Sequence, residues 1–403
     1  MTFQFDVYKP LTEESAISLL KELHFFAENE HVTCREIGDG NLNLVFQMST
    51  HTSTKKWIVK QALPYAKVVG ESWPLTLKRA KIESDALLQF AKFTPHLVPE
   101  VLYSNETLAL TIMEDLSHLS IARTGLIKGE SYPNLGKDIG TFLAHILFKT
   151  SDLGLSPTEK KEKAQQFSNP ELCKITEDLV FTDPFFDHDT NDFEPELSEK
   201  VEQLWKEDEL KLEVAKLKRL FLTNGDALIH GDLHTGSIFA SEHETKIIDP
   251  EFSFYGPFGF DLGHFIANLL FNALRRPQAQ TELFGFIHDT WETFSSVFTS
   301  LWKEDKNNPF LQVNGYLDYT LQTIWQDALG FAGCEMIRRT IGLAHVADLD
   351  TIEESELRIR TKETALDIGK SLVLNRVEIK TVQDLHDFYI ENNEFLGNNA
   401  RTV

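Results

Sequence analysis

Apolar residues alternate with polar ones along the early part of this chain, and helical spacing governs most of the rest. Positions 12–23 carry a short helical pattern. Leu42, Leu44, Phe46 and Met48 then alternate, so 36–46 reads as strand, glycine turn and strand with one buried face. Trp57-Ile58-Val59-Lys60 is a strand with a lysine at its end, and 75–92 is a helix that puts Glu83 on the face carrying Arg79 and Leu87. A further strand, 107–113, runs into Glu114-Asp115-Leu116. Beyond it Leu135, Ile139, Phe142, Leu143, Ile146 and Leu147 predict a core helix over 134–150, in which His145 is a packing residue. Helices are expected at 172–180 and 195–221, around an exposed, acid-rich, non-binding connection at 182–199. Apolar residues predict another helix at 262–274, with Asp261 placed as its cap. Three more follow at 280–303, 315–329 and 333–345. The tail beyond Val382 reads as a last short helix or part of an interface. No internal repeat or low-complexity segment is present.

Two interruptions of this pattern carry chemistry. In the first, Gly38-Asp39-Gly40-Asn41 forms a turn whose backbone can approach a phosphate, since glycine has no Cβ. The same residues also suit an ordinary hairpin, with Asn41 or Asn43 satisfying turn backbone. The order of elements adds weight: glycine turn, strand Lys60, helix Glu83, then a further strand. A strand lysine paired with a helix glutamate is how kinases place ATP, the ammonium reaching the α- and β-phosphates. Trp73, between Lys60 and Glu83, either closes over a substrate or pins its loop to the lobe.

In the second, the apolar run Ala227-Leu228-Ile229 ends at His230-Gly231-Asp232-Leu233-His234. Strands at 237–240 and 245–248, joined by 241–244, then lead to Asp249-Pro250-Glu251. A hairpin of that length is expected to return Asp249 to the side of Asp232. Asp232 can orient a substrate hydroxyl and accept its proton, while Asp249 and Glu251 can hold magnesium on nucleotide phosphates. Either half alone reads equally well as a capped turn; together they point to phosphoryl transfer, which depends on positioning and charge neutralisation.

Length and charge narrow the setting. A chain of 403 residues can bury a large core and is expected to split into two lobes. With 39 basic and 62 acidic residues the formal charge is -23, which argues against nucleic acid and against an anionic membrane surface. Cys34, Cys173 and Cys334 are few and scattered, as suits a reducing compartment without a disulfide frame. No basic-then-apolar leader and no membrane-length apolar run are evident, so a soluble cytoplasmic protein is expected.

At HGDLHTGSIF and DPEF the sequence resembles the aminoglycoside phosphotransferase and choline kinase branch of the protein-kinase-like fold. Within that branch it is similar to the bacterial and plant 5-methylthioribose kinase family, through nearly the whole chain. The resemblance implies an α+β, bilobal protein-kinase-like fold, with a small antiparallel β lobe at 1–114 plus a large mainly helical lobe at 115–403. It implies a linker at Glu114, Asp115 and Leu116 whose backbone holds adenine, and arginines at Arg338 and Arg339 that contact substrate and the transferring phosphoryl. Adjacent helical residues diverge by about a hundred degrees, so one arginine is expected in the cleft and the other on an acid. The alternative is two exposed basic residues. ATP, Mg2+, a small sugar substrate and a homodimer are further implications, the reaction being phosphorylation of the anomeric oxygen in methionine salvage. The common branch pattern has Asn five residues after the loop aspartate. Here that residue is Ser237, and Glu251 is the candidate replacement as a metal ligand. Choline, homoserine or an aminoglycoside as acceptor, or a nucleotide-binding scaffold without turnover, are the competing readings. A quaternary ammonium acceptor would need an aromatic cage and a polycationic drug an acidic cleft, and the arginine pair disfavours cationic acceptors.

Overall fold

The computed structural model describes residues 7–37, 42–50, 56–66, 70–305 and 308–393. Contacts divide the chain into two compact units, Met1–Leu119 with Lys246–Ser253, and Ser120–Thr245 with Phe254–Val403. The second stretch of the first unit differs from the expected simple cut at 114/115. Buried polar contacts join this stretch to the rest of the unit. The Lys246 ammonium donates to the Val98 carbonyl and to Glu114 Oε2, each at 3.2 Å, and Glu251 lies against Arg79.

The first unit starts with α1 (Glu13–Glu22), opened by a capping box between Thr12 and Ser15. Five antiparallel strands follow: β1 (Val32–Glu36), β2 (Asn43–Thr50), β3 (Lys56–Ala62), β6 (Val101–Asn105) and β7 (Leu110–Glu114), in the order β1-β2-β3-β7-β6. A small ribbon pairs β4 (Tyr65–Ala66) with β5 (Gly70–Pro74), and α2 (Lys78–Ala91) follows it. The alternation read from sequence is realised: Leu44, Phe46 and Met48 are buried with Val59, Leu110, Ile112 and the inner face of α1. The strand expected from position 107 begins at Leu110, because 106–109 make the β6–β7 turn with Ala109 at φ 50°.

The second unit is mainly helical. Its short strands are β8 (Ser120–Ile121), β9 (Ala227–Ile229), β10 (Ile238–Ala240) and β12 (Phe254–Gly256), with β8 on β10 and β9 on β12; β11 (Thr245–Ile247) leads into the first unit's second stretch. The helices are α3 (Ala122–Lys128), α4 (Leu135–Thr150), α5 (Pro157–Gln166), α6 (Pro170–Leu179), α7 (Ser198–Lys206) and α8 (Asp208–Thr223). After the strands come α9 (Phe260–Arg275), α10 (Gln280–Glu304), α11 (Tyr316–Ile341), α12 (Ala347–Asp350), α13 (Ser355–Asn375) and α14 (Val382–Asn392). The helix expected over 195–221 is broken at Glu207, whose backbone is extended and whose carboxylate pairs with Lys370. Conversely, the two helices expected at 315–329 and 333–345 are one, α11. Its glycines are packing positions: a Cβ on Gly333 would lie 2.4 Å from the Gly369 carbonyl of α13. No helix among the described residues is long and apolar enough to cross a membrane.

The 182–199 segment, expected to be a free connection, is tied down. Asp183, Pro184 and Phe185 are buried, and Glu194 pairs with Lys362 and Arg358 of α13. His345 adds a titratable tie, with Nδ1 2.9 Å from Asp350 Oδ2 and Nε2 2.5 Å from the Asp192 carbonyl. Both partners are acceptors, so both ring nitrogens must carry protons. The hydrogen bond to Asp350 accordingly raises the His345 pKa, against the opposing effect of burial. A raised folded-state value stabilises fully below the unfolded value of roughly 6.5 and is lost as pH climbs through the folded value. The melting-point advantage of wild type over His345→Gln should therefore shrink as pH rises from 6 towards 9, in roughly the range where imidazolium is lost. A constant difference across that range would mean that His345 is neutral.

Candidate active site

The sequence-predicted residues fall into two clusters, one in each unit. In the first, the Lys60 ammonium on β3 lies 2.7 Å from Glu83 Oε1 on α2 and also contacts Asp249 Oδ1. This is the strand-lysine, helix-glutamate pair read from the sequence. Asp249 sits in the left-handed region at φ 70°, a conformation aspartate tolerates better than most residues, and the turn leads straight into a buried Pro250. Glu251 is buried, with Oε2 3.1 Å from Arg79 Nε and 3.4 Å from Asn43 Nδ2.

Arg79 had no assigned part in the sequence reading, yet it organises this cluster. It is fully buried and donates to the Leu63 carbonyl at 2.9 Å, to Asn43 Oδ1 at 3.2 Å and to the Leu42 carbonyl. Its position one helical turn before Glu83 was the available signal. Asn43, expected among the phosphate-covering residues, instead has its side chain between Arg79 and Glu251. Three carboxylates (Glu83, Asp249, Glu251) meet two cations here. Burial and the neighbouring Asp249 raise the pKa of Glu251, and burial raises that of Glu83. Burial works against the Lys60 charge, but Asp249, Glu83 and Glu251 drive its pKa upward overall. The surplus negative charge suits a divalent cation. Among the described residues no ready-made cage of three metal-ligating side chains occurs. Magnesium needs none, since it takes one or two carboxylates with substrate phosphates and water.

Of the expected linker residues, Glu114 ends β7 with its carboxylate on Lys246. Asp115 accepts from Gln47 Nε2 at 2.6 Å and from the Ser117 amide at 2.9 Å, so its side chain serves the turn. Leu116 is buried. Gly38, Asp39, Gly40, Asn41 and the Trp73 side chain lie outside the described residues.

The second cluster is built on the turn after β9. Gly231 has φ 85°, which a side chain would strain. Asp261 is not the cap of its own helix: it lies inside α9, and its carboxylate accepts from the His230 and Gly231 amides at 2.6 and 2.9 Å. In this way it ties the turn to its helix. Ser237, at the place of the usual asparagine, braces the loop by donating to the Asp232 carbonyl at 2.8 Å. The His234 Nδ1 receives the Gly236 and Ser237 amides at 3.0 Å each. Amides can only donate, so the neutral ring carries its proton on Nε2, which faces Asp232 Oδ2 at 3.4 Å. Burial lowers the His234 pKa, which favours the neutral ring.

Arg338 and Arg339, both on α11, are 8% and 7% exposed, which removes the surface-residue reading. They do not divide their tasks as expected. Arg338 Nη2 lies 3.7 Å and Arg339 Nη2 3.6 Å from the same Asp232 Oδ1, and both contact Glu335. Burial would raise the Asp232 pKa, but His234, Arg339 and Arg338 hold its carboxyl well below the usual carboxylate range. The cluster is thus an ionised carboxylate beside two cationic forks, suited to a hydroxyl and to a migrating phosphoryl.

Residues 33–295 match the phosphotransferase enzyme family. A methylthioribose kinase of Geobacillus sp. (strain WCH70) is 61% identical over 386 residues, 96% of each chain. The chain belongs to the phosphotransferase enzyme family, among its methylthioribose kinases. The methylthioribose kinase of Geobacillus thermodenitrificans (strain NG80-2) is 58% identical over 96% of this chain and 98% of its own. That of Bacillus pumilus (strain SAFR-032) is 57% identical over 94% and 96%. The family match takes in Lys60, Glu83, Asp232, Asp249, Glu251 and Asp261; Glu335, Arg338 and Arg339 lie beyond it, inside the span shared with the methylthioribose kinases.

Proposed function

We propose that this chain transfers the γ-phosphoryl of ATP to the anomeric hydroxyl of 5-methylthioribose, giving 5-methylthioribose 1-phosphate for methionine salvage. The observation that carries this reading is the ionised Asp232 beside Arg338 and Arg339. It is supported by 57–61% identity to methylthioribose kinases over nearly the full chain.

The first cluster takes the nucleotide. Lys60, oriented by Glu83, holds the α- and β-phosphates, and the backbone of 114–116 takes the adenine edge. Residues 38–41 are assigned to the phosphates. Asp249 and Glu251 would hold magnesium, which would neutralise phosphate charge. In the second cluster Asp232 accepts the hydrogen bond of the anomeric hydroxyl. Its depressed pKa makes it a weak base. A hemiacetal hydroxyl is more acidic than an ordinary alcohol, and in a loose transition state the proton can leave late. Arg338 and Arg339 take charge on the moving phosphoryl, and their cationic forks disfavour ammonium acceptors such as choline or an aminoglycoside. Trp73 is assigned to the methylthio end of the substrate.

The test is ADP release with magnesium ATP and separate acceptors: 5-methylthioribose, ribose, choline, homoserine and kanamycin. Turnover on methylthioribose and little on the others is expected. Preference for another acceptor would replace the substrate and keep the mechanism; ATP binding without any turnover would favour a nucleotide-binding scaffold.

A further inference from the structure

We infer that Glu335 is a positioning residue for phosphoryl transfer, one buried carboxylate that sets the forks of both arginines at Asp232. This rests on the roles given above to Asp232, Arg338 and Arg339. Consecutive helical residues diverge by about a hundred degrees, so two of them do not meet at one oxygen without a third group to turn them. Glu335 lies three and four positions earlier on α11, where it shares a surface with both. It spends one oxygen on each: Oε1 accepts from Arg339 Nε at 2.8 Å and Oε2 from Arg338 Nε. With the inner Nε of each guanidinium engaged, one outer nitrogen of each, Nη2, faces Asp232, at 3.6 Å for Arg339 and 3.7 Å for Arg338.

Electrostatics requires the same residue. Two buried guanidiniums side by side repel, and burial together with Arg339 lowers the Arg338 pKa. Glu335 supplies the compensating charge. Burial opposes its ionisation, but Arg338 and Arg339 more than offset that and keep it ionised. A further titratable group packed here, His264 of α9, has Nε2 3.7 Å from Glu335 Oε2 and Nδ1 4.0 Å from Asp232 Oδ1. Burial pushes its pKa down to about 4, so near neutrality it adds no charge. Its ring lies against Phe260, 4.2 Å between centroids, and neither nitrogen has a hydrogen-bond partner, leaving both Glu335 oxygens to the arginines. Gly263 permits this approach of α9 to α11: a Cβ there would sit 2.4 Å from the Ala328 carbonyl.

The decisive variant is E335Q, which keeps the size of the side chain but turns an amide NH2 towards one arginine. Its kcat for methylthioribose should fall about 100-fold, the usual scale for misplacing a catalytic group by an ångström, while ATP affinity stays within about twofold. A residue that acts through the arginines has nothing to position once they are gone. On an R338A/R339A background, followed by single turnover, E335Q should therefore cost less than about threefold. E335D keeps the charge but reaches one Nε rather than two, and should lose about tenfold if E335Q proves too unstable to purify. The inference is overturned if E335Q or E335D works at the wild-type rate. It is equally overturned if E335Q costs the same factor with and without the arginines. Wild type without turnover on methylthioribose would overturn the proposed function and this inference with it; an active wild type with unaffected variants would overturn this inference alone.

Discussion

Asp232→Asn is expected to lower kcat by about 10³-fold, within the range found for removing a positioned general base, while ATP affinity stays near wild type. The asparagine keeps the shape of the side chain. It loses the charge that faces His234 Nε2 at 3.4 Å and the two arginine forks at 3.6 and 3.7 Å. The nucleotide is assigned to Lys60, Asp249 and Glu251, so a change at Asp232 leaves its direct contacts alone. Equal losses in turnover and ATP affinity would count against the role given to Asp232. The pH profile is a second reading of the same residue. Because its neighbours hold Asp232 well below the usual carboxylate range, the acidic limb of kcat/KM should not come from this group near neutral pH. A limb that disappears in Asp232→Asn would contradict the electrostatics of the cluster.

Arg79→Ala carries the largest expected effect on stability, about 3–5 kcal/mol, because it leaves the buried Glu251 without its cation. The melting midpoint should drop by roughly 10 °C. Arg79→Met combined with Glu251→Gln should recover about half of that loss, since no uncompensated buried charge remains. The same pair separates two roles for Glu251. If it ligates magnesium, Glu251→Gln alone raises the magnesium concentration needed for half-maximal turnover. If it serves Arg79 alone, magnesium dependence is unchanged and melting falls. An Arg79→Ala protein that melts like wild type would remove Arg79 as the organiser of this cluster.

Much of the fold was legible because its signals are local. Alternation at Leu44, Phe46 and Met48 identified a strand face, and helical spacing from Leu135 to Leu147 identified α4. Positions 316–341 show the limit of such reading. Two helices are expected there, at 315–329 and 333–345, but they are one, and Gly333 marks the close approach of that helix to α13. The break at Glu207 was missed for the opposite reason, since nothing in the apolar spacing of 195–221 marks the end of α7.

Site chemistry divides along the same line. Lys60 with Glu83, and Asp232, Asp249 and Glu251, could be named from residue types in a fixed order, because phosphoryl transfer needs a cation, an orienting carboxylate and metal-holding carboxylates. Arg79, His264 and Glu335 could not be assigned in that way. Their importance lies in burial and in partners such as Glu251 and Asp232, remote along the chain. The pattern Glu335-x-x-Arg338-Arg339 did hold a readable signal, since a helix places those three together. The sequence by itself determined which elements form and which side chains can do chemistry, because both depend on local spacing and residue type. Tertiary structure decided which charges are buried against one another. That settled the ionised Asp232, the neutral His264 and the shared clamp on Arg338 and Arg339, because desolvation and Coulomb interaction depend on distance in space.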